Sequence, residues 1–118
     1  MHDLRWVGEQ ELRWTAADPQ YRWLTLNAAG LDVEIEDVTE SLAALALQGP
    51  FSRAVLEAAT GESFAGLGYF RRRAATIDGV GVDVSRTGYT GDLGYELWIP
   101  ADAAPAVWDA LFAAGKAY

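Results

Sequence analysis

Apolar and polar positions along this chain change period several times, and each change marks an element boundary. Glu11-Leu12-Arg13-Trp14-Thr15-Ala16 predicts a strand. Asp18-Pro19 then predicts a helix start, with Asp18 as the cap and Pro19 in the first helical position. Tyr21, Leu24, Ala28 and Leu31 follow at helical spacing, and Gly30 suits the helix end. The Tyr21–Leu24–Ala28 stripe is expected to pack onto a sheet. Leu31 to Glu36 alternates apolar with acidic residues, which predicts a half-buried strand. Leu42 to Leu47 is apolar throughout, a pattern that suits a helix or a central strand. Its short length and the Gln48-Gly49-Pro50 stop favour a strand buried on both faces.

Pro50 opens a second predicted helix, with Phe51, Val55 and Ala58 on one face and Gly61 closing it. Phe64 to Leu67 reads as a connection and Tyr69 to Ile77 as a strand. Asp78-Gly79 is a two-residue hairpin signal, and Val80, Val82 and Val84 alternate on the returning strand. A long glycine-rich connection from Ser85 leads into Tyr95–Ile99, where Tyr95, Leu97 and Ile99 share one face and Glu96 and Trp98 the other. Asp102 is expected to cap the last helix, with Pro105 in its first turn and Val107, Trp108 and Leu111 as its buried stripe before Gly115. This order predicts an α+β fold in a single domain spanning residues 1–118. Its mostly antiparallel sheet carries three packed helices in a ferredoxin-like arrangement.

Composition narrows the chemistry. A net charge of −8 and a pI near 4.4 argue against binding a phosphate backbone, which needs a basic stripe. There are no cysteines, so disulfides, thiolate metal sites and cysteine nucleophiles are excluded. The single histidine is His2, which removes histidine triads and multi-histidine metal sites. No metal site is expected. No apolar run approaches the roughly 18 residues of a membrane span, and His2, Asp3 and Arg5 leave no signal-peptide core. A cytoplasmic protein is expected, without nucleic-acid or membrane partners. Any catalysis falls to carboxylates, tyrosines, arginines or a bound cofactor.

Glu96 is the first candidate site residue. A carboxylate beside Trp98, on a strand leaving a glycine-rich loop, can accept two parallel hydrogen bonds from adjacent N–H groups of a flat heterocycle. It is equally the expected polar alternate of a wet sheet face. Tyr89, flanked by Gly88 and Thr90-Gly91, offers a ring for stacking or serves as a loop anchor. Gly88, Gly91 and Gly94 do not form a phosphate cradle, because a strand rather than a helix follows them. Arg71-Arg72-Arg73 is split by alternation and reads as a solvated strand. Of Trp6, Trp14, Trp23, Trp98 and Trp108, most are expected in the core.

Three segments resemble the glycine-cleavage T-protein (aminomethyltransferase) family, a GcvT-like folate-binding family. They are Ala46-Leu47-Gln48-Gly49-Pro50 with Ser52 and Val55-Leu56; Ser85-Arg86-Thr87-Gly88-Tyr89-Thr90-Gly91-Asp92-Leu93-Gly94-Tyr95-Glu96-Leu97; and Trp108-Asp109-Ala110-Leu111 with Ala114-Gly115. Asp92 stands where the family signature usually has glutamate. The resemblance implies tetrahydrofolate as cofactor and transfer of a one-carbon group between an amine or methyl donor and a folate nitrogen. It also implies that Glu96 holds the amino and ring N–H edge of the pterin and that Tyr89 lines the same pocket.

The family is about three times longer, so the resemblance implies a fragment of the folate-binding domain without its barrel domain. Asp3 is the residue nearest the place of the family's catalytic aspartate, and matching it requires a short deletion; no catalytic residue is assigned. Weak or no folate binding and no turnover are expected from the chain alone. One alternative is a non-catalytic folate-binding or assembly module, with a partner chain or self-association covering the Trp98/Glu96 face. Another is a fragment of a tetrahydrofolate-dependent demethylase, and nothing in the sequence discriminates the donors.

Overall fold

A computed structural model describes residues 2–118, with side chains from Leu4 onward. It comprises two compact units, Met1–Asp37 and Val38–Tyr118. In the first, strand β1 (His2–Trp6) pairs antiparallel with β2 (Leu12–Ala16), setting Leu4 opposite Trp14 and Trp6 opposite Leu12. Strand β2 lies where alternation placed it. Strand β1 carried no comparable pattern and is defined by its partner. Asp3 pairs with Thr15 through the backbone, while the side chains of His2 and Asp3 lie outside the described residues.

Helix α1 (Tyr21–Asn27) begins two residues later than Asp18-Pro19 implied. Gln20 occupies the cap position and makes no side-chain cap bond, so Asp18 is not the cap. The Thr25 hydroxyl and Asn27 amide donate to the carbonyls of Tyr21 and Trp23, 2.8 Å each, one turn back. No α1 residue is buried, and Tyr21 is exposed, so the expected stripe is not a core face. Leu31 to Glu36 forms no strand: it has no ladder partner, and Leu31 and Val33 are exposed. Alternation sets the faces of a strand but cannot supply the backbone it pairs with. None of this unit's described residues is buried, because two strands and a two-turn helix enclose no core.

The second unit is a four-stranded antiparallel sheet in the order β3 (Leu42–Gln48), β6 (Gly94–Pro100), β5 (Val80–Ser85), β4 (Arg72–Ile77). Helices α2 (Ser52–Thr60) and α3 (Ala104–Gly115) complete it. With the two-stranded sheet and α1, this is the α+β class and antiparallel pairing that the sequence predicted. One sheet face packs on α2 and α3. Tyr95, Leu97 and Ile99 of β6, Val82 and Val84 of β5, and Ala75 and Ile77 of β4 meet Val55 and Leu56 of α2 and Val107 and Leu111 of α3. Glu96 and Trp98 point to the opposite face, as the period of two required.

Several boundaries and faces differ from expectation. Strand β3 is an edge strand, with Leu45 and Leu47 packed on the core but Ala44 and Ala46 exposed, so it is not buried on both faces. An all-apolar run hides which of its residues are small enough to face water. Helix α2 buries Ser52, Val55 and Leu56 rather than the Phe51–Val55–Ala58 face, and Phe51 is exposed. Strand β4 begins at Arg72, not Tyr69. Phe64 and Leu67 are buried although they lie on a connection. A 3₁₀ turn at Ala101–Ala103 contains Asp102 and feeds α3, whose cap position is Ala103, so Asp102 is not the cap. Of the five tryptophans, Trp6, Trp14, Trp23 and Trp108 are exposed and Trp98 is half-buried, so the core is aliphatic with Tyr95 and Phe64.

The Asp78-Gly79 signal is realised: both residues have positive φ, 49° and 75°, and join Ile77 to Val80 as a primed two-residue turn. The arginine run is divided as alternation required. Arg72 Nε donates to both oxygens of Asp83 at 2.8 and 3.0 Å, while Arg73 pairs with Glu62 at 2.8 Å and lies over the Phe64 ring.

Burial pushes the Tyr95 phenol up from its ordinary value, against the lowering pull of Arg86 and Arg53. The folded chain then keeps a proton that the unfolded chain loses. The associated stability is complete below the unfolded tyrosine pKa of about 10 and is lost as pH rises above it. Urea denaturation across that range should show the parent losing stability with pH more steeply than Tyr95→Phe. Equal slopes would contradict the burial of this phenol.

Candidate functional site

The β5–β6 connection and the strand after it organise the polar features around Glu96. Ser85, at the end of β5, lies directly opposite Glu96 in β6. Two residues further on, Thr87 turns its hydroxyl onto Glu96 and donates to Oε2. Ser85 Oγ sits 2.9 Å from Thr87 Oγ1 and 3.4 Å from the Glu96 carbonyl oxygen. Ser85 is buried, whereas Thr87 and Glu96 are half-buried. The carboxylate is therefore tied to the hairpin that carries it.

Beside this cluster lies a hollow of about 280 Å³, lined by Tyr69, Phe70, Arg86, Thr87, Gly88, Gly91, Asp92 and Gly94. Its far wall is the turn before β4. Phe70 N–H donates to the Arg86 carbonyl at 3.1 Å, and Arg86 N–H to the Arg71 carbonyl at 2.9 Å, which carries strand-like pairing beyond β4. Arg86 Nη1 donates to the Leu67 carbonyl at 2.9 Å, and its guanidinium lies 4.1 Å from the Tyr69 ring centroid. Phe70 is held at φ 58° and is 84% exposed. That left-handed conformation costs a residue with a β-carbon about 1–3 kcal/mol and persists only where surrounding bonds impose it. Here the two backbone bonds that join Phe70 and its neighbour Arg71 to Arg86 do so.

Gln48 lies against two of the lining glycines, Gly88 and Gly94. Strand pairing sets it opposite Gly94, and its amide lies across that glycine. A β-carbon on Gly94 would stand 1.8 Å from Gln48 Oε1, so only glycine admits the amide there. Gln48 Nε2 donates to the Tyr95 carbonyl at 3.3 Å, and its Oε1 accepts from the Thr90 hydroxyl at 3.1 Å. Next to it, Gly49 N–H and the Ser52 hydroxyl both donate to the Leu93 carbonyl, at 2.8 and 3.3 Å. The Gln48-Gly49-Pro50 stop and the glycine-rich connection, 42 residues apart along the chain at Gln48 and Thr90, form one interlocked structure.

A double-mutant cycle tests that interlock. Gly94→Ala should expel the amide and lose its two hydrogen bonds, about 1–2 kcal/mol of stability. On a Gln48→Ala background the three nearest obstructing atoms are gone, and the same substitution should cost less than about 0.5 kcal/mol. Additive costs in urea denaturation would show that the amide does not hold the loop.

The two residues singled out from sequence are differently placed. Glu96 lies within the hydroxyl cluster next to the hollow. Tyr89 stands at the loop tip, 82% exposed, and neither it nor Glu96 is among the residues lining the hollow, which Thr87 joins to the cluster. Sequence reasoning missed Thr87, Ser85, Gln48, Arg86 and the Tyr69-Phe70 turn. Alternation could have placed Ser85 beside Glu96 once the two strands were paired; Gln48, Arg86 and Thr87 lay within the family-like segments without a role, and nothing local marked the Tyr69-Phe70 turn. Among the described residues, no group of three or more acidic or histidine side chains could hold a metal ion. Nor, among the described residues, is any helix long and apolar enough to cross a membrane.

Comparison with known proteins gives these features a family setting. An aminomethyltransferase of Moorella thermoacetica is 41% identical over 99 residues, covering 84% of this chain and 27% of that protein. An aminomethyltransferase of Streptomyces coelicolor is 42% identical over 94 residues, 80% of this chain and 25% of its own length. One of Caldanaerobacter subterraneus subsp. tengcongensis is 38% identical over 102 residues, covering 86% and 27%. The chain thus spans about a quarter of the length of the curated relatives it matches. The family model described as the GCVT N-terminal domain matches residues 12–118, from β2 to the end of the chain, so this chain belongs to the GCVT N-terminal domain family.

Proposed function

We propose that this chain provides one wall of a tetrahydrofolate site in a one-carbon transferase, with Glu96 holding the pterin edge. The observation that carries this reading is the half-buried Glu96 carboxylate, fixed by Thr87 beside a hollow with aromatic side chains on its rim. A carboxylate oriented in advance can accept two parallel N–H donors of a pterin without first losing side-chain freedom. The relatives' name, aminomethyltransferase, favours an aminomethyl group as the donor, its carbon bonding to the folate nitrogen as its amine leaves. In such a reaction the contribution of this chain is orientation, holding the folate nitrogen where the donor carbon can reach it. Groups that bind the donor and handle protons lie outside this assignment.

One wall alone contributes only part of the binding energy, so the suitable measurement is amide NMR with millimolar 5-formyltetrahydrofolate. The expected result is shifts centred on Thr87, Gly88 and Glu96, lost in Glu96→Ala. Shifts confined to other surfaces, or none up to the solubility limit, would overturn the assignment.

A further inference from the structure

We propose that Thr87 is the positioning residue for Glu96, backed by Ser85 in a directed chain of hydroxyls. The identity of the ligand rests on the pterin reading above, but the contact itself does not. Thr87 donates its only hydroxyl proton to Glu96 Oε2, since a carboxylate accepts. The 2.9 Å contact with Ser85 must then run the other way, with Ser85 donating into a lone pair of Thr87. Ser85 is buried and opposite Glu96 in the ladder, so its own place is set by the sheet rather than by solvent. Each bond in the series polarises the next. The β-branched carbon of Thr87 restricts its χ1, so the donor points at the carboxylate with little rotational freedom.

The consequence is a division of labour along the loop. Glu96 meets the ligand, while Thr87 fixes the carboxylate plane from the side. Thr87 also lines the hollow, so it stands where the carboxylate and the ligand space adjoin. A valine in its place keeps shape and β-branching but removes the donor, and a serine keeps the donor with a freer rotamer.

Two measurements on the full chain test this. The first needs no ligand: unfolding equilibrium constants of the parent, Thr87→Val, Glu96→Ala and the double variant. A coupling factor of about fivefold or more is expected, and a factor near one overturns the proposal. The second follows 5-formyltetrahydrofolate by the same amide shifts. Thr87→Val should weaken binding about three- to tenfold, with Thr87→Ser recovering most of the loss. Binding by Thr87→Val equal to that of the parent overturns the positioning role. A parent that binds no folate removes the pterin reading alone, and the coupling measurement still decides whether Thr87 holds Glu96. Should the valine variant fail to fold, Thr87→Ser and Thr87→Ala in the same cycle give the decision.

Discussion

Leu97→Ala lowers the stability of the Val38–Tyr118 unit by about 2–5 kcal/mol, the largest single effect expected in this chain. Leu97 has no exposed surface and sits in β6, an inner strand of the sheet, between Leu45 of β3 and Val84 of β5. It belongs to a core cluster drawn from β4, β5, β6, α2 and α3, so collapse around a shortened side chain would require shifts in several elements at once. Hydrogen exchange of the β6 amides is a suitable readout, since inner-strand amides open only with the unit as a whole. Trp108→Ala is the matching control. Despite its size, Trp108 is 51% exposed and packs on Phe112, with ring centroids 4.8 Å apart. Its loss should cost about 1 kcal/mol or less. A Trp108 effect as large as that of Leu97 would place the core on the wrong face of α3.

The second large effect concerns ligand rather than fold. Glu96→Ala should raise the dissociation constant for a reduced folate at least about tenfold, or about 1.4 kcal/mol. Hydrogen bonds to a charged group are each worth about 1.5–3 kcal/mol, so tenfold is the lower bound for losing two. Glu96→Gln provides the sharper comparison. An amide presents an N–H₂ group where the pterin edge also presents a donor, so glutamine should bind no better than alanine despite its shape. Near-parental binding by Glu96→Gln would mean that the residue meets an acceptor, and the ligand edge would have to be reassigned. Neither substitution touches the α2/α3 face of the sheet, so hydrogen exchange in β6 should change by no more than the loss of the Thr87 contact, well short of the change in Leu97→Ala.

Comparing residues shows which parts of the site could be read in advance. The inward set Tyr95, Leu97 and Ile99 and the outward pair Glu96 and Trp98 followed from a period of two that any strand obeys. The Asp78-Gly79 turn followed from the positive φ that only such residues adopt readily. Helix faces were less legible. Alanine-rich segments such as those around Ala58 and Ala110 offer several apolar stripes of similar strength, and packing on the sheet selects among them. Trp108 misled because size was read as burial, while the space above the sheet was already filled by Val107 and Leu111.

By itself the sequence determined the local terms: the identity of the helices and of strands β2 to β6, the inward and outward alternation of β6, the tight turn, and the acidic, cysteine-free chemistry available. It also carried the family, because the Gln48-Gly49-Pro50 and Ser85–Glu96 segments are recognisable as strings. What those strings do to each other was decided only by tertiary structure. Pairing of β3 with β6 sets Gln48 on Gly94, and the path of the connection brings Thr87 onto Glu96. The physical reason is one of range. Backbone preferences and periodicity act over a few residues, whereas strand register and loop closure join positions far apart through contacts that exist only once the sheet has formed.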